Sequence, residues 1–127
     1  MLAALWAVLL FVLLMSSVSS PFVQNIAVPS YFEPGPEWTQ MQNDYPTVEL
    51  AIVNPSSGPG EIANPAFARE VRQTQAAGLT VLGYVHTGYG ERSKAAVEKD
   101  VEKYYSWYGV DGIFFDEAST DCQYATS

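Results

Sequence analysis

Four short apolar runs, separated by segments with helical spacing, dominate the chain from Gln24 onward. These runs are Ile26–Val28, Val48–Val53, Thr80–Val85 and Gly112–Phe115. They are rich in β-branched and aromatic residues and lack strict alternation, which is typical of strands buried on both faces of a parallel sheet. Because parallel strands are joined by crossover connections, this order predicts an α/β fold with four parallel strands and intervening helices.

The connection between the third and fourth runs has the clearest helical pattern. One face of this helix, at positions i, i+4, i+7 and i+11, consists of Val97, Val101, Tyr104 and Tyr108. Ser93 is a candidate N-cap, and Gly109 is a candidate left-handed residue at the C-terminal end. We expect these tyrosines, together with Tyr105 and Trp107, to belong to the core and not to a binding surface.

The other two connections also predict helices. The second one offers an N-cap, a first-turn proline, two inward apolar residues and a stop signal: Asn64, Pro65, Phe67, Val71 and Gly78. The first connection has room only for a short helix around Trp38 and Met41. The resulting βαβαβαβ order fits either a doubly wound open sheet or part of a (β/α)8 barrel, which typically takes ~250 residues.

The N-terminal segment predicts a secretory signal peptide over residues 1–20. No charged residue occurs there, and Leu2–Met15 is a run of 14 apolar residues followed by small polar ones. A membrane span needs roughly 20 apolar residues, so this run suits a signal better than a span. Cleavage after Ser19 fits the small-residue rule, and an uncleaved anchor is the alternative. We therefore expect a secreted protein, extracellular or in a cell wall, without stable membrane insertion after signal cleavage.

Composition excludes several partners and cofactors. The part after the signal carries 14 acidic and 6 basic side chains, for a formal net charge of -8. Nucleic-acid affinity rests on Lys and Arg, so nucleic acid is not an expected partner. With one His and one Cys, Cys122, the chain cannot assemble a structural zinc site, and we expect no metal and no cofactor. The oligomeric state stays open.

Polar and aromatic side chains follow each apolar run at its carboxyl end. They include Tyr31, Asn54, His86, Thr87, Tyr89, Asp116 and Glu117. In both architectures the functional site lies at the carboxyl ends of the strands. Aromatic faces stack on sugar rings, and amides and carboxylates bind hydroxyl groups, so this set predicts a sugar-binding cleft. His86 is expected to donate or accept hydrogen bonds in the cleft, whereas Asp111 lies at the opposite end of its strand and is expected to be structural.

Asp116 and Glu117 are the sharpest candidates for catalysis. Glycoside hydrolysis uses two carboxyl groups, about 5 to 5.5 Å apart for retention or ~6.5 to 9.5 Å apart for inversion. Adjacent strand residues point to opposite faces, so both can meet one substrate only if the backbone turns at Glu117. Asp116 is expected to face inward, because it shares the parity of Phe114. Equally compatible with the spacing is a structural role, in which one carboxylate caps a following helix or pairs with Arg92.

Four segments together resemble the spherulin 4 family: VPSYFEP, IVNPSSGPG, AGLTVLGYVHTGYG and WYGVDGIFFDE. That family is similar to glycoside hydrolase family 135, secreted (β/α)8-barrel enzymes that cleave α-1,4-linked N-acetylgalactosamine in galactosaminogalactan. The match covers nearly all of residues 26–118. The resemblance implies a TIM-type barrel and a catalytic set that includes Asp116 and Glu117. It also implies a cleft lined by Tyr31, Asn54, Tyr84, Thr87 and Tyr89.

The sequence departs from the family pattern at one catalytic residue. Family members carry a further catalytic Glu on a later strand, and no segment before Ser127 supplies it. The resemblance therefore implies that residues 21–127 are the N-terminal half of a barrel, truncated after its fourth strand. The full-length family is expected to be an enzyme acting on an amino-sugar polysaccharide, and this fragment alone is expected to be inactive. The alternatives are a non-catalytic carbohydrate-binding or cell-wall (spherulation) protein, and a small open α/β domain with an unrelated ligand.

Overall fold

The computed structural model describes residues 24–120, so the predicted signal peptide and Cys122 lie outside the described residues. Strands and helices alternate throughout this part, and the predicted βαβαβαβ order is confirmed. The strands are β1 (Ile26–Ser30), β2 (Val48–Val53), β3 (Thr80–His86) and β4 (Gly112–Asp116). The helices are α1 (Pro36–Asn43), α2 (Pro65–Ala76) and α3 (Lys94–Lys103), with a 3-10 turn at Gly88–Gly90 and a π-helical turn at Tyr104–Tyr108.

All four strands form one parallel sheet in the order β1-β2-β3-β4. Within residues 24–120 the order contains no reversal, which a doubly wound sheet has at its switch point. The β3–β4 register pairs Tyr84 with Phe114 and His86 with Asp116. Since paired residues of neighbouring strands point to the same side, Tyr84, His86 and Asp116 share one face of the sheet. Phe114, the partner of Tyr84, lies on this face as well.

The core lies on the opposite face, between the sheet and the helices. Its buried members include Trp38, Met41, Ala51, Val53, Phe67, Val71, Val81, Val85, Tyr104 and Tyr108. Tyr104 packs directly on Gly83 of β3, and its hydroxyl donates to the Val53 carbonyl oxygen at 3.2 Å. The prediction of a core role is thus confirmed for Tyr104 and Tyr108, and Trp107 packs against the same cluster.

Tyr105, in the turn Tyr104–Tyr108, differs from the prediction. Its side chain is half exposed, so the prediction that it belongs to the core is wrong. Successive residues of a helical turn point in different directions around its axis, and Tyr104 already occupies the sheet-facing direction. Its neighbour along the chain is consequently turned toward solvent.

The predicted helix ends are confirmed by their hydrogen bonds. The Asn64 side chain accepts the Ala66 amide at 3.0 Å, and Ser93 accepts the Ala96 amide at 3.3 Å. Gly109 has φ 64, the left-handed conformation that glycine adopts without a Cβ penalty. These caps satisfy amide and carbonyl groups that a helix leaves unpaired at its termini.

Asp111 has the structural role expected of it. Its carboxylate accepts the Val81 amide at 2.8 Å, and its own amide donates to the Val81 carbonyl oxygen at 2.8 Å. These two bonds fix the start of β4 against β3, at the end of the sheet remote from Asp116.

As for membrane insertion, none of the helices between residues 24 and 120 has both the length and the apolar character needed to cross a bilayer.

Candidate functional site

Tyr84 and Asp116 form the centre of a polar cluster at the carboxyl ends of β3 and β4. The Tyr84 hydroxyl donates to Asp116 Oδ2 at 2.9 Å. The other carboxylate oxygen, Oδ1, accepts the amide of Glu117 at 2.8 Å. Because each carboxylate oxygen has a donor, the orientation of the Asp116 side chain is fixed from two directions.

The backbone turns at Glu117, directly after β4. Its φ is 54, in the left-handed region that residues other than glycine rarely adopt. The turn brings Glu117 Oε2 to 3.5 Å from Nδ1 of His86. His86 lies on the same sheet face as Asp116. Sequence parity alone places the two carboxylates on opposite faces, and the turn overrides it. The condition for both groups to meet one ligand is therefore present.

Thr87 and Tyr89 contact this turn through hydrogen bonds to its carbonyl oxygens. The Thr87 hydroxyl donates to the Glu117 carbonyl oxygen at 2.6 Å, and the Thr87 amide donates to that of Asp116 at 2.9 Å. The Tyr89 amide donates to the Glu117 carbonyl oxygen at 2.8 Å. The Thr87 hydroxyl thus binds protein backbone, whereas Tyr89 is 65% exposed.

An aromatic row runs across the same face of the sheet. The Tyr31 and Tyr84 rings meet edge to face, with centroids 5.5 Å apart, and Tyr84 stacks with Phe114 at 6.4 Å. Tyr84 is buried, while Tyr31 is half exposed. Phe114 was not among the predicted site residues, although its parity with Asp116 is the signal that identifies it.

Asn54 lies at the carboxyl end of β2 and shapes the loop that follows. Its Oδ1 accepts the amide of Gly58 at 2.7 Å. This bond closes a turn of the β2–α2 connection, so at least one polar atom of the Asn54 side chain serves the loop. The sequence-based set therefore divides into side chains that face the cluster and side chains that organise its loops.

Arg92 is engaged by groups other than the carboxylate pair. Its guanidinium donates to Asp100 Oδ2 at 2.7 Å and to the His86 carbonyl oxygen at 2.6 Å. The predicted alternative of an Arg92 pair with Asp116 or Glu117 is therefore wrong, because the guanidinium is bound to Asp100 and to the His86 carbonyl oxygen. Up to residue 120, no helix follows β4 for either carboxylate to cap.

The two tyrosines of the cluster are held in their neutral form. Burial, followed by the hydrogen bond and negative charge of Asp116, raises the pKa of Tyr84 to about 12. Burial and then the charge of Asp116 also raise the pKa of Tyr31. Both phenols therefore keep their proton to a higher pH than an ordinary tyrosine does. Between residues 24 and 120, no three His, Cys, Asp or Glu side chains gather as ligands for a metal ion.

Fold and site together define a parallel α/β protein with a carboxylate and aromatic cluster at the carboxyl edge of its sheet, where such folds bind ligands. A family model described as "Spherulation-specific family 4" matches residues 25–127. Over 117 residues the chain is 38% identical to Spherulin-4 from Physarum polycephalum. The chain belongs to the spherulin-4 family, and the resemblance predicted from its four segments is confirmed.

The match to the Physarum protein covers very different shares of the two chains. It covers 89% of this chain but 35% of that relative. No solved structure matches the chain.

Proposed function

We propose that residues 21–127 supply the first four strands of a (β/α)8 barrel, as part of a secreted glycoside hydrolase. Two observations support this architecture. The strands are parallel and singly wound, in the order in which barrel strands follow one another. The chain also spans only 35% of its Physarum relative, whose remaining length can accommodate further strands.

The substrate we propose is a polysaccharide of α-1,4-linked N-acetylgalactosamine or galactosamine. Asp116 acts as the nucleophile or the stabilising carboxylate, and Glu117 acts as an acid/base or positioning group. A Glu from a later strand supplies the remaining carboxyl group. The single observation that carries this proposal is the turn at φ 54 in Glu117, which directs both carboxylates toward one side of the sheet.

The surroundings of the pair suit a sugar polymer. Tyr31 and Tyr89 are aromatic and at least half exposed, so their faces can stack on sugar rings beside the carboxylates. The Tyr84 hydroxyl fixes one oxygen of Asp116 and leaves the group facing the open side of the sheet. A net charge of -8 favours a partly deacetylated, cationic galactosamine chain over an anionic polymer.

The test compares Asp116→Asn with Glu98→Gln, a matched loss of charge at an exposed position of α3. Both are made in a chimera in which residues 25–127 replace the matched segment of Physarum Spherulin-4, and release of reducing ends from galactosaminogalactan is measured. We expect Asp116→Asn to lower the rate by about 10²-fold or more, as for loss of an acid, base or nucleophile, and Glu98→Gln to leave it unchanged. Cleavage that persists in Asp116→Asn would refute the assignment. The 127-residue chain alone is expected to be inactive.

A second function is favoured by the exposure of the Tyr31 and Tyr89 rings, which do not require a reaction in order to bind sugar. In that case the protein is a non-catalytic carbohydrate-binding or cell-wall component. Its signature is affinity for the polymer without any release of reducing ends. This affinity would fall in Tyr31→Ala and Tyr89→Ala and survive in Asp116→Asn.

A further inference from the structure

We infer that Thr87 is the positioning residue of the carboxylate pair: its hydroxyl and amide hold Glu117 in the left-handed conformation that places both carboxylates on one side. The inference rests on the proposed function for its catalytic consequence only. The claim that Thr87 determines where the Glu117 side chain lies depends only on the hydrogen bonds.

The conformation of Glu117 needs an external cause. A left-handed φ brings Cβ close to backbone atoms, and residues in this region persist only when their surroundings hold them there. Glu117 has φ 54 and carries a full side chain. In an extended conformation, its side chain would point away from Asp116, as alternation along a strand requires.

Thr87 contacts the backbone on both sides of the Glu117 Cα. The Asp116 carbonyl belongs to the peptide group before that Cα, and it accepts the Thr87 amide at 2.9 Å. The Glu117 carbonyl belongs to the peptide group after it, and it accepts the Thr87 hydroxyl at 2.6 Å. Holding both peptide planes determines φ and ψ of the residue between them. The Tyr89 amide adds a second bond, of 2.8 Å, to the Glu117 carbonyl oxygen.

The loop that carries Thr87 is itself anchored. Arg92 donates to the carbonyl oxygen of His86 at 2.6 Å and to Asp100 of α3 at 2.7 Å. Gly88 follows Thr87 with φ 59, and a Cβ there would lie 3.1 Å from the Arg92 side chain. Arg92 therefore links the backbone next to Thr87 to helix α3. This link holds Thr87, and through its hydrogen bonds Glu117, in place.

Among the described donors to the Asp116 and Glu117 carbonyl oxygens, the Thr87 hydroxyl belongs to a side chain, and the Thr87 and Tyr89 amides belong to the backbone. Substitution of Thr87 can therefore remove the hydroxyl without altering the backbone donors. Thr87→Val keeps the shape of the residue and deletes the hydroxyl. Thr87→Ser keeps the hydroxyl and deletes the methyl group. A requirement for the hydrogen bond predicts that these two variants differ, whereas a role in packing predicts the reverse order of severity.

His86 provides a spectroscopic readout that does not depend on activity. It is the only histidine of the chain, so its imidazole resonances are unambiguous, and its Nδ1 lies 3.5 Å from Glu117 Oε2. We would record the imidazole chemical shifts in the full chain at one fixed pH for the wild type, Thr87→Val, Thr87→Ser and Glu117→Gln. Thr87→Val is expected to shift the resonances toward their positions in Glu117→Gln, and Thr87→Ser is expected to match the wild type.

Two outcomes overturn the inference. One is a folded Thr87→Val variant with wild-type imidazole shifts. The other is a Thr87→Ser variant whose shifts move to those of Glu117→Gln, and this result is decisive even if Thr87→Val fails to fold.

Kinetics in the Spherulin-4 chimera separate this inference from the proposed function. Thr87→Val is expected to lower kcat by about tenfold or more with little change in KM, because a misplaced catalytic group costs up to 10²-fold in rate, and Thr87→Ser is expected to restore the rate. If the imidazole shifts move as expected but the unsubstituted chimera cleaves nothing, the positioning role stands and the proposed function fails. If the chimera cleaves and Thr87→Val retains the full kcat, the inference fails and the proposed function stands.

Discussion

Gly83→Ala is the substitution whose effect on stability follows most directly from the geometry of the core. Gly83 lies in β3, with the ring of Tyr104 packed against its Cα. A Cβ at this position would lie 2.5 Å from Cδ1 and from Cγ of Tyr104. Carbon atoms in contact are normally about 3.5–4.0 Å apart, so the ring would have to withdraw by about 1 Å. Tyr104 has no exposed surface and donates its hydroxyl to the Val53 carbonyl oxygen, so it has no free direction in which to move.

The magnitude follows from three opposing contributions. Overpacking a core costs about 1–3 kcal/mol. Weakening the Tyr104 hydrogen bond to Val53 adds about 1 kcal/mol. Replacing a strand glycine by alanine returns about 0.5–1 kcal/mol through the unfolded chain. The net expectation is a loss of about 2 kcal/mol in the free energy of unfolding, or about 10 °C in Tm for a domain of this size.

The assay is equilibrium unfolding in urea, followed by circular dichroism and tryptophan fluorescence, with Gly112→Ala as the matched control. Gly112 is also a strand glycine, but a Cβ there would meet Leu82 Cδ2 at 3.0 Å, the end of a side chain that can rotate. We expect its cost to stay below about 1 kcal/mol. Equal losses in the two variants, or a neutral Gly83→Ala, would refute the reasoning that Tyr104 is immobile against β3.

Two further predictions concern the helix cap and the pH dependence. Asn64→Ala deletes the bond to the Ala66 amide and is expected to lower the free energy of unfolding by about 1 kcal/mol, seen as a lower urea midpoint at an unchanged m-value; an unchanged midpoint would contradict the cap. The pKa of Tyr84 is raised from 10.0 to about 12, so its contribution to stability is complete below pH 10 and is lost as the pH rises through about 12. Tyr84→Phe is therefore expected to flatten this alkaline decline relative to the wild type, and identical pH profiles of the urea midpoint would refute the assignment.

Much of the fold was predictable because its signals are local. The strand Val48–Val53 has the predicted bounds, and Asn64 and Ser93 cap the helices at which their side-chain chemistry placed them. A helix cap or an apolar periodicity depends on residues a few positions apart, so it can be predicted without knowledge of the tertiary structure. Tyr105 escaped the prediction, because the choice between neighbouring tyrosines depends on which one the sheet accommodates.

The candidate site was predictable in its members but not in their roles. The topology of a parallel sheet brings the carboxyl ends of its strands together, so Tyr31, His86 and Asp116 were expected near one another. Thr87 and Asn54 were expected to line the cleft, yet each hydrogen-bonds to backbone. A hydroxyl or amide at a strand end can serve a ligand or a loop, and the partner that it meets is distant in the sequence.

By itself, therefore, the sequence determined the α/β class, the strand and helix order, the family and the acidic surface, because periodicity, capping chemistry and charge are properties of short segments. Only the tertiary structure decided that Glu117 turns back toward the face of Asp116. Strand alternation predicts the opposite, and the turn is held by donors from Thr87, 30 residues earlier in the chain. Contacts across such a separation arise when β3 and β4 pair, and the position of the second carboxylate depends on that pairing.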